Sequence, residues 1–73
     1  MITEIDCKGL TCPLPMLKAK RALEKLLSGD VLRVLTTDPD SINFFTTFSR
    51  QTGHILGEVE KYEGYEVFVL THK

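Results

Sequence analysis

The sequence predicts an α/β (α+β) two-layer sandwich of order βαβαββ, a four-stranded mixed sheet with two helices on one face. Three observations lead there. Two segments keep helical apolar spacing, and each opens on a proline. Short β-branched runs precede and follow them, and a glycine-bearing turn divides the last two runs. The 73 residues suit a single domain, 1–73, with no repeat, linker or low-complexity tract. A hydrophobic content of 42% with four phenylalanines makes a core feasible without disulfide staples. Burial at about 25 cal/mol per Å² must offset an ordering cost of roughly 1.5 kcal/mol per residue.

Ile2, Ile5 and Cys7 mark a short first strand, and Lys8-Gly9-Leu10-Thr11 a loop. From Pro13 to about Leu27 apolar residues recur at 16, 19, 23, 26 and 27, with Leu17 and Ala22 beside them. Lys18, Arg21 and Lys25 take the other side of this helix. Ser28-Gly29-Asp30 stops it, with Gly29 suited to a left-handed cap. DVLRVLTT, residues 30–37, is a strand with Leu32, Val34 and Thr36 on one face. Val31, Arg33 and Leu35 take the other face, which the arginine marks as partly wet. Asp38-Pro39-Asp40 announces the second helix: Asp38 as N-cap, Pro39 at the first position, Asp40 in the first turn. Ile42, Phe45 and Phe48 or Ser49 follow at helical spacing, and Phe44 and Phe48 are an i,i+4 pair. Thr46 and Thr47 are poor helix formers, so phenylalanine burial must carry this helix until Gly53 ends it. His54 to Glu60 and Tyr65 to Leu70 form a hairpin through Lys61-Tyr62-Glu63-Gly64, with Gly64 taking the awkward dihedrals. The first two strands are expected to be parallel through a right-handed crossover.

Composition narrows the function classes. Charged residues are 26% and nearly cancel at net −1, so no direct nucleic-acid binding is expected. Two cysteines are too few for a disulfide framework. They point to a reducing cytoplasm with at least one free thiol. The start MITEIDCKG has no signal pattern, and no apolar run approaches the roughly 20 residues that span a bilayer. A soluble cytoplasmic protein, with no membrane association, is the expectation. Only His54 and His72 are present, without clustered ligand spacing, so no metal is expected. No glycine-rich phosphate loop exists, and no cofactor is expected. Cys7 and Cys12 are separated by KGLT, which is not a CxxC dithiol.

The chemistry gathers at TCPLP. The first N–H groups of a helix have no internal partner, so a proline there forfeits no hydrogen bond. With Cys12 as N-cap, Pro13 falls at N1 and Pro15 at N3, and Met16 makes the first i→i−4 bond to the Cys12 carbonyl. Pro15 also biases Leu14 away from helical dihedrals, so the helix either begins at Pro15 or strains Leu14. Either way the sulfur sits at the positive end of a helix dipole, which favours the nucleophilic thiolate. Lys18 and Arg21 add positive potential. Only Cys12 and Leu14 keep backbone N–H groups around the sulfur. Cysteine is not a preferred cap residue, which weighs against a purely structural Cys12. Cys7, at a strand end, reads as a buried small hydrophobe or as a second sulfur-handling thiol. His54 is either a base for Cys12 or a half-exposed strand residue.

Asp6-Cys7-Lys8-Gly9-Leu10-Thr11-Cys12-Pro13-Leu14-Pro15 resembles the signature of the TusA family (SirA-like or YedF-like) of small sulfur carrier proteins. Its hallmark is Cys-Pro-x-Pro at the start of the first helix, preceded by Asp-x-x-Gly. The likeness extends to Gly29-Asp30 and Thr37-Asp38-Pro39. It implies a βαβαββ fold like the C-terminal domain of a bacterial translation initiation factor. It also implies a catalytic Cys12 that carries sulfur as a persulfide. Asp6, Gly9, Pro13, Leu14 and Pro15 would shape the loop that presents it. Sulfur would come from a cysteine desulfurase or a rhodanese and pass to an acceptor sulfur-relay protein. Such relays serve transfer-RNA 2-thiouridine synthesis, molybdenum-cofactor biosynthesis or sulfur oxidation. The expectation is a sulfurtransferase-type relay through a cysteine persulfide rather than a stand-alone turnover enzyme, and a monomer. Cys7 falls on a variable position of the signature and inherits no role. Lys18, Arg21 and Lys25 form a ridge that is either a docking surface for acidic partners or ordinary solvated charge. The alternative is a non-catalytic regulatory or interaction domain using the helix-free sheet face around Val31 and Leu35.

Overall fold

The computed structural model describes residues 1–73. It contains β1 (Ile2–Cys7), α1 (Leu14–Glu24), β2 (Val31–Thr36), α2 (Ser41–Thr52), β3 (Ile55–Tyr62) and β4 (Tyr65–Thr71). The sheet order is β1-β2-β4-β3, with β1 parallel to β2 and the other neighbours antiparallel. The expected order and mixed sheet are therefore present.

Alternation along the strands selects the face that the helices cover. Leu32 and Val34 of β2, Phe68 and Leu70 of β4 and Cys7 of β1 are buried there. Ala19 and Leu23 of α1 and Phe45 and Phe48 of α2 close over them. Phe45 is the hub, its ring stacked on Phe68 at 5.0 Å and edge-on to Phe48 at 6.5 Å. The aromatic partner of Phe44 is Phe45, at 5.1 Å, rather than Phe48. Phe45 and Phe48 aim at the sheet, which leaves Phe44 half-buried at the margin. The hydroxyls of Thr46 and Thr47 donate to the carbonyls of Ile42 and Asn43 at 2.6 and 3.1 Å. Their polarity is thereby spent inside the helix. Gly53, at φ +84°, ends α2 as expected, its N–H on the Ser49 carbonyl.

Three expectations about boundaries need correction. First, α1 ends at Glu24, and Leu27 is 76% exposed rather than part of the apolar stripe. Lys25 and Leu26 N–H groups tighten the last turn onto Ala22 and Leu23. The Asp30 carboxylate accepts the Leu27 N–H at 2.9 Å and its own N–H returns to the Leu27 carbonyl. This local turn outcompetes helix continuation, and Gly29 (φ +88°) serves the turn rather than a helix cap. Second, the hairpin loop is only Glu63-Gly64, because Tyr62 pairs with Tyr65 and their rings stack at 5.1 Å. Gly64 has the expected positive φ. Third, α2 begins at Ser41 with Asp40, not Asp38, at its cap.

The helix-free face is held by charge. Arg33 Nε donates to Glu4 at 3.1 Å, and Arg33 Nη1 to Glu60 at 2.9 Å. Glu60 lies on β3, so this bridge spans β4, where Val67 is only 1% exposed. Arg33 is held firmly protonated by the two carboxylates, and Glu60 is pulled below its ordinary range by Arg33 and then Tyr62. No helix is long and apolar enough to cross a membrane.

Candidate functional site

Because β1 and β2 are parallel, their C-terminal ends lie side by side, with Cys7 opposite Thr36. The loops that follow, 8–13 and 37–40, therefore leave the sheet together. Asp6 shapes the first loop: its carboxylate accepts the Lys8 N–H at 3.0 Å and lies 3.9 Å from Lys8 Nζ. The Leu10 N–H reaches back to the Cys7 carbonyl at 3.1 Å, closing a tight turn in which Gly9 stands at φ +81°. An L-residue resists that conformation, which accounts for glycine here. The Gly9 N–H then donates to Thr37 Oγ1 at 2.9 Å, tying the two loops together.

Cys12 is exposed and free, and the Cys12–Pro13 peptide is cis. The cap position of α1 is Pro13, not Cys12, so Leu14 is the first helical residue and Pro15 the second. The first i→i−4 bond runs from the Leu17 N–H to the Pro13 carbonyl at 3.1 Å, one residue later than expected. The cap moves because the Leu14 N–H is taken by the Thr11 carbonyl at 2.9 Å, and the Cys12 N–H by Asp38 Oδ2 at 2.9 Å. Both donors expected near the sulfur are thus occupied. With prolines at 13 and 15, the Met16 N–H is the single donor left open at the helix head.

Asp38 is the site residue that the sequence reading assigned only to a helix cap. It is 8% exposed. Oδ1 accepts the Asp40 N–H at 2.9 Å while Oδ2 takes Cys12. Its own N–H donates to Thr36 Oγ1 at 3.1 Å, and that hydroxyl pairs with Ser41 Oγ at 2.8 Å. An Asp that follows a strand and precedes Pro-Asp is ambiguous in sequence. A carboxylate can close an Asx turn or reach a distant loop, and this one does both.

Cys7 is wholly buried in the core, where desolvation pushes its thiol up against the opposing influence of Lys18. The two cysteines therefore occupy opposite environments. Leu14 and Leu17 are 47% and 44% exposed on the helix that follows Cys12. Lys18, Arg21 and Lys25 are exposed. They do not all stand at the thiol. Lys25, at the far end of α1, is about 16 Å along the axis from Leu14. Lys8 Nζ instead lies 4.9 Å over the Tyr65 ring, on the same end of the sheet as Cys12. His54 is at the C-terminal end of α2, against Phe48 and His72. It is thereby removed from the head of α1 and is not a base for Cys12.

This geometry defines a small α/β domain that presents one thiol at a helix head and withdraws the other into its core. Residues 3–71 match the family model described as Sulfurtransferase TusA. The chain belongs to the TusA family of sulfur carrier proteins. It is 47% identical over 70 residues to the sulfur carrier protein TusA of Allochromatium vinosum, covering 96% of this chain and 91% of that one. The crystal structure of a SirA-like protein from Desulfitobacterium hafniense superposes with a TM-score of 0.82 at 32% identity. That match covers 97% of this chain and 96% of the other.

Proposed function

We propose that Cys12 carries sulfane sulfur as a persulfide and relays it between partner proteins. The observation that supports this most is the contrast between an exposed Cys12 at the head of α1 and a buried Cys7. The Cys12 thiolate attacks the terminal sulfur of a donor persulfide. The donor S–S bond breaks, the donor leaves as a thiolate, and the transferred sulfur keeps its proton as Cys12–S–SH. An acceptor thiolate then attacks that outer sulfur and releases the Cys12 thiolate. With Cys12 and Leu14 N–H groups engaged elsewhere, few donors remain to hold the cargo sulfur in place, which suits a carrier that must give it up.

Donors of the right chemistry are a cysteine desulfurase or a rhodanese. The acceptor is the cysteine of a sulfur-relay protein in transfer-RNA 2-thiouridine synthesis or in sulfur metabolism. Asp6, Gly9, Pro13, Leu14 and Pro15 shape the presenting loop. Lys18, Arg21 and Lys25 offer a ridge to acidic partner surfaces, with Lys18 the nearest of the three to the thiol. Intact mass after incubation with a cysteine desulfurase and cysteine tests this. One added sulfur, about 32 Da, removable by reductant, is expected on the unmodified protein and on Cys7→Ser, and absent from Cys12→Ser. Sulfur retained by Cys12→Ser would sink the proposal.

A further inference from the structure

We propose that Asp38 is a positioning residue that clamps the main chain of Cys12 to the head of α2. The inference rests on the reading of Cys12 as the sulfur-bearing thiol. Three observations carry it. The Asp38 carboxylate is nearly buried, and its two oxygens serve two different elements: Oδ2 the Cys12 N–H and Oδ1 the Asp40 N–H, each at 2.9 Å. The residue is itself held from below, because its N–H sits on Thr36 Oγ1 and that hydroxyl is paired with Ser41. Finally, the Cys12 loop makes only one other long-range hydrogen bond, the Gly9 N–H on Thr37 Oγ1, three residues upstream.

Each part has a distinct job. Two prolines strip donors from the α1 head, so the loop cannot be anchored there by the usual cap hydrogen bonds. Asp38 supplies the anchor from the neighbouring element instead. It grips the cysteine through its backbone, which leaves the sulfur free for exchange. A buried carboxylate that accepts two backbone N–H groups is well satisfied without a cationic partner. The thiol of a carrier must be found in the same place by a donor and by an acceptor. A fixed backbone N–H makes that place reproducible.

The test uses Asp38→Asn. Asparagine preserves the volume and closes Asx turns, so its amide oxygen stays with the Asp40 N–H. Its NH₂ group then faces the Cys12 N–H, donor against donor, and the clamp alone is lost. We expect desulfurase-driven loading of Cys12 to slow by roughly tenfold or more. Iodoacetamide should alkylate Cys12 no more slowly than before, and Cys7 should stay unreactive. Loading within about twofold of the unmodified protein overturns the clamp. Slow loading accompanied by a reactive Cys7 also overturns it, since Asp38 would then be holding the fold rather than the thiol.

A second measurement needs no variant. In the unmodified, isotope-labelled protein, the Cys12 and Asp40 amide nitrogens should both show through-hydrogen-bond coupling to the Asp38 carboxyl carbon. Absence of the Cys12 coupling overturns the proposal. If the unmodified protein accepts no sulfur at Cys12, the relay reading fails, while the couplings still decide whether the clamp exists.

Discussion

Cys7 is a built-in reporter of core opening, and Phe45 sets how often the core opens. Cys7 is 0% exposed in the same cluster as Phe45, so a water-borne alkylating reagent reaches it only when the structure opens. A domain of this size has a stability of roughly 4–11 kcal/mol at 0.05–0.15 kcal/mol per residue. Even the lower bound slows Cys7 about a thousandfold relative to an open thiol. Phe45→Leu keeps an apolar side chain but removes the stack on Phe68, the edge contact with Phe48 and the tilted contact with Phe44. Each aromatic pair contributes about 0.5–1.5 kcal/mol beyond its area, so losing all three costs about 3 kcal/mol. That raises the open population, and hence Cys7 alkylation, about 150-fold. Cys12, already exposed, should react at its former rate. A time course of iodoacetamide labelling read by intact mass, with peptide mapping to assign the sites, gives both rates in one tube. Cys7 labelling within about tenfold of Cys12 in the unmodified protein would refute the buried placement. An unchanged Cys7 rate in Phe45→Leu, despite a lowered thermal midpoint, would show that Cys7 is exposed by fraying of the edge strand β1 and not by opening of the core.

Three further outcomes are expected. Glu60 is held below its ordinary 4.5 by Arg33, so its contribution is present above that value and disappears as pH falls through the native one. The thermal midpoint advantage of the unmodified protein over Glu60→Gln should therefore shrink between about pH 6 and about pH 3, and a constant gap would contradict the ion pair. His54 is pushed below 6.5 mainly by burial, then by His72 and Lys73. The unfolded chain binds that proton more readily, so stability should fall as pH drops below the ordinary value. His54→Gln should flatten this acid-side decline in melting curves. Gly9→Ala places a methyl group where nothing lies within 4 Å, but at φ +81°. The cost is conformational alone, about 1–2 kcal/mol, visible as a lower urea midpoint with an unchanged slope.

Periodicity made the architecture legible. Alternation in DVLRVLTT sorted Leu32, Val34 and Thr36 from Val31, Arg33 and Leu35, and the burial of the strand follows that division. Gly53 and Gly64 announced a helix end and a hairpin, because the left-handed region selects glycine so strongly. Cys12 stood out because a cysteine beside two prolines at a helix start has no structural preference to explain it. What stayed hidden depends on partners far apart in the chain. Nothing in Asp38-Pro39-Asp40 indicates that a carboxylate two residues before the cap reaches back 26 residues to Cys12. Leu27 carries the right apolar character for the α1 stripe. The competing bond from Asp30 is a side-chain effect that a hydropathy pattern does not register. Phe44 and Phe45 are equivalent in composition, and only the sheet below decides which of them becomes the hub.

The parallel pairing of β1 with β2 has a practical corollary for handling the molecule. The Met1 amino group rests on Asp30 at 3.1 Å, and His72 exchanges backbone bonds with Gly29 and Asp30. These lie at the start of β2, whereas Asp38 and Cys12 lie beyond its end, a strand length of roughly 17 Å away. A tag, a surface tether or a fused domain attached at residue 1 or 73 therefore leaves the molecule on the side turned away from the thiol. Immobilised through either end, the protein points Cys12 outward, so a surface made from it would display every copy with the thiol facing solvent.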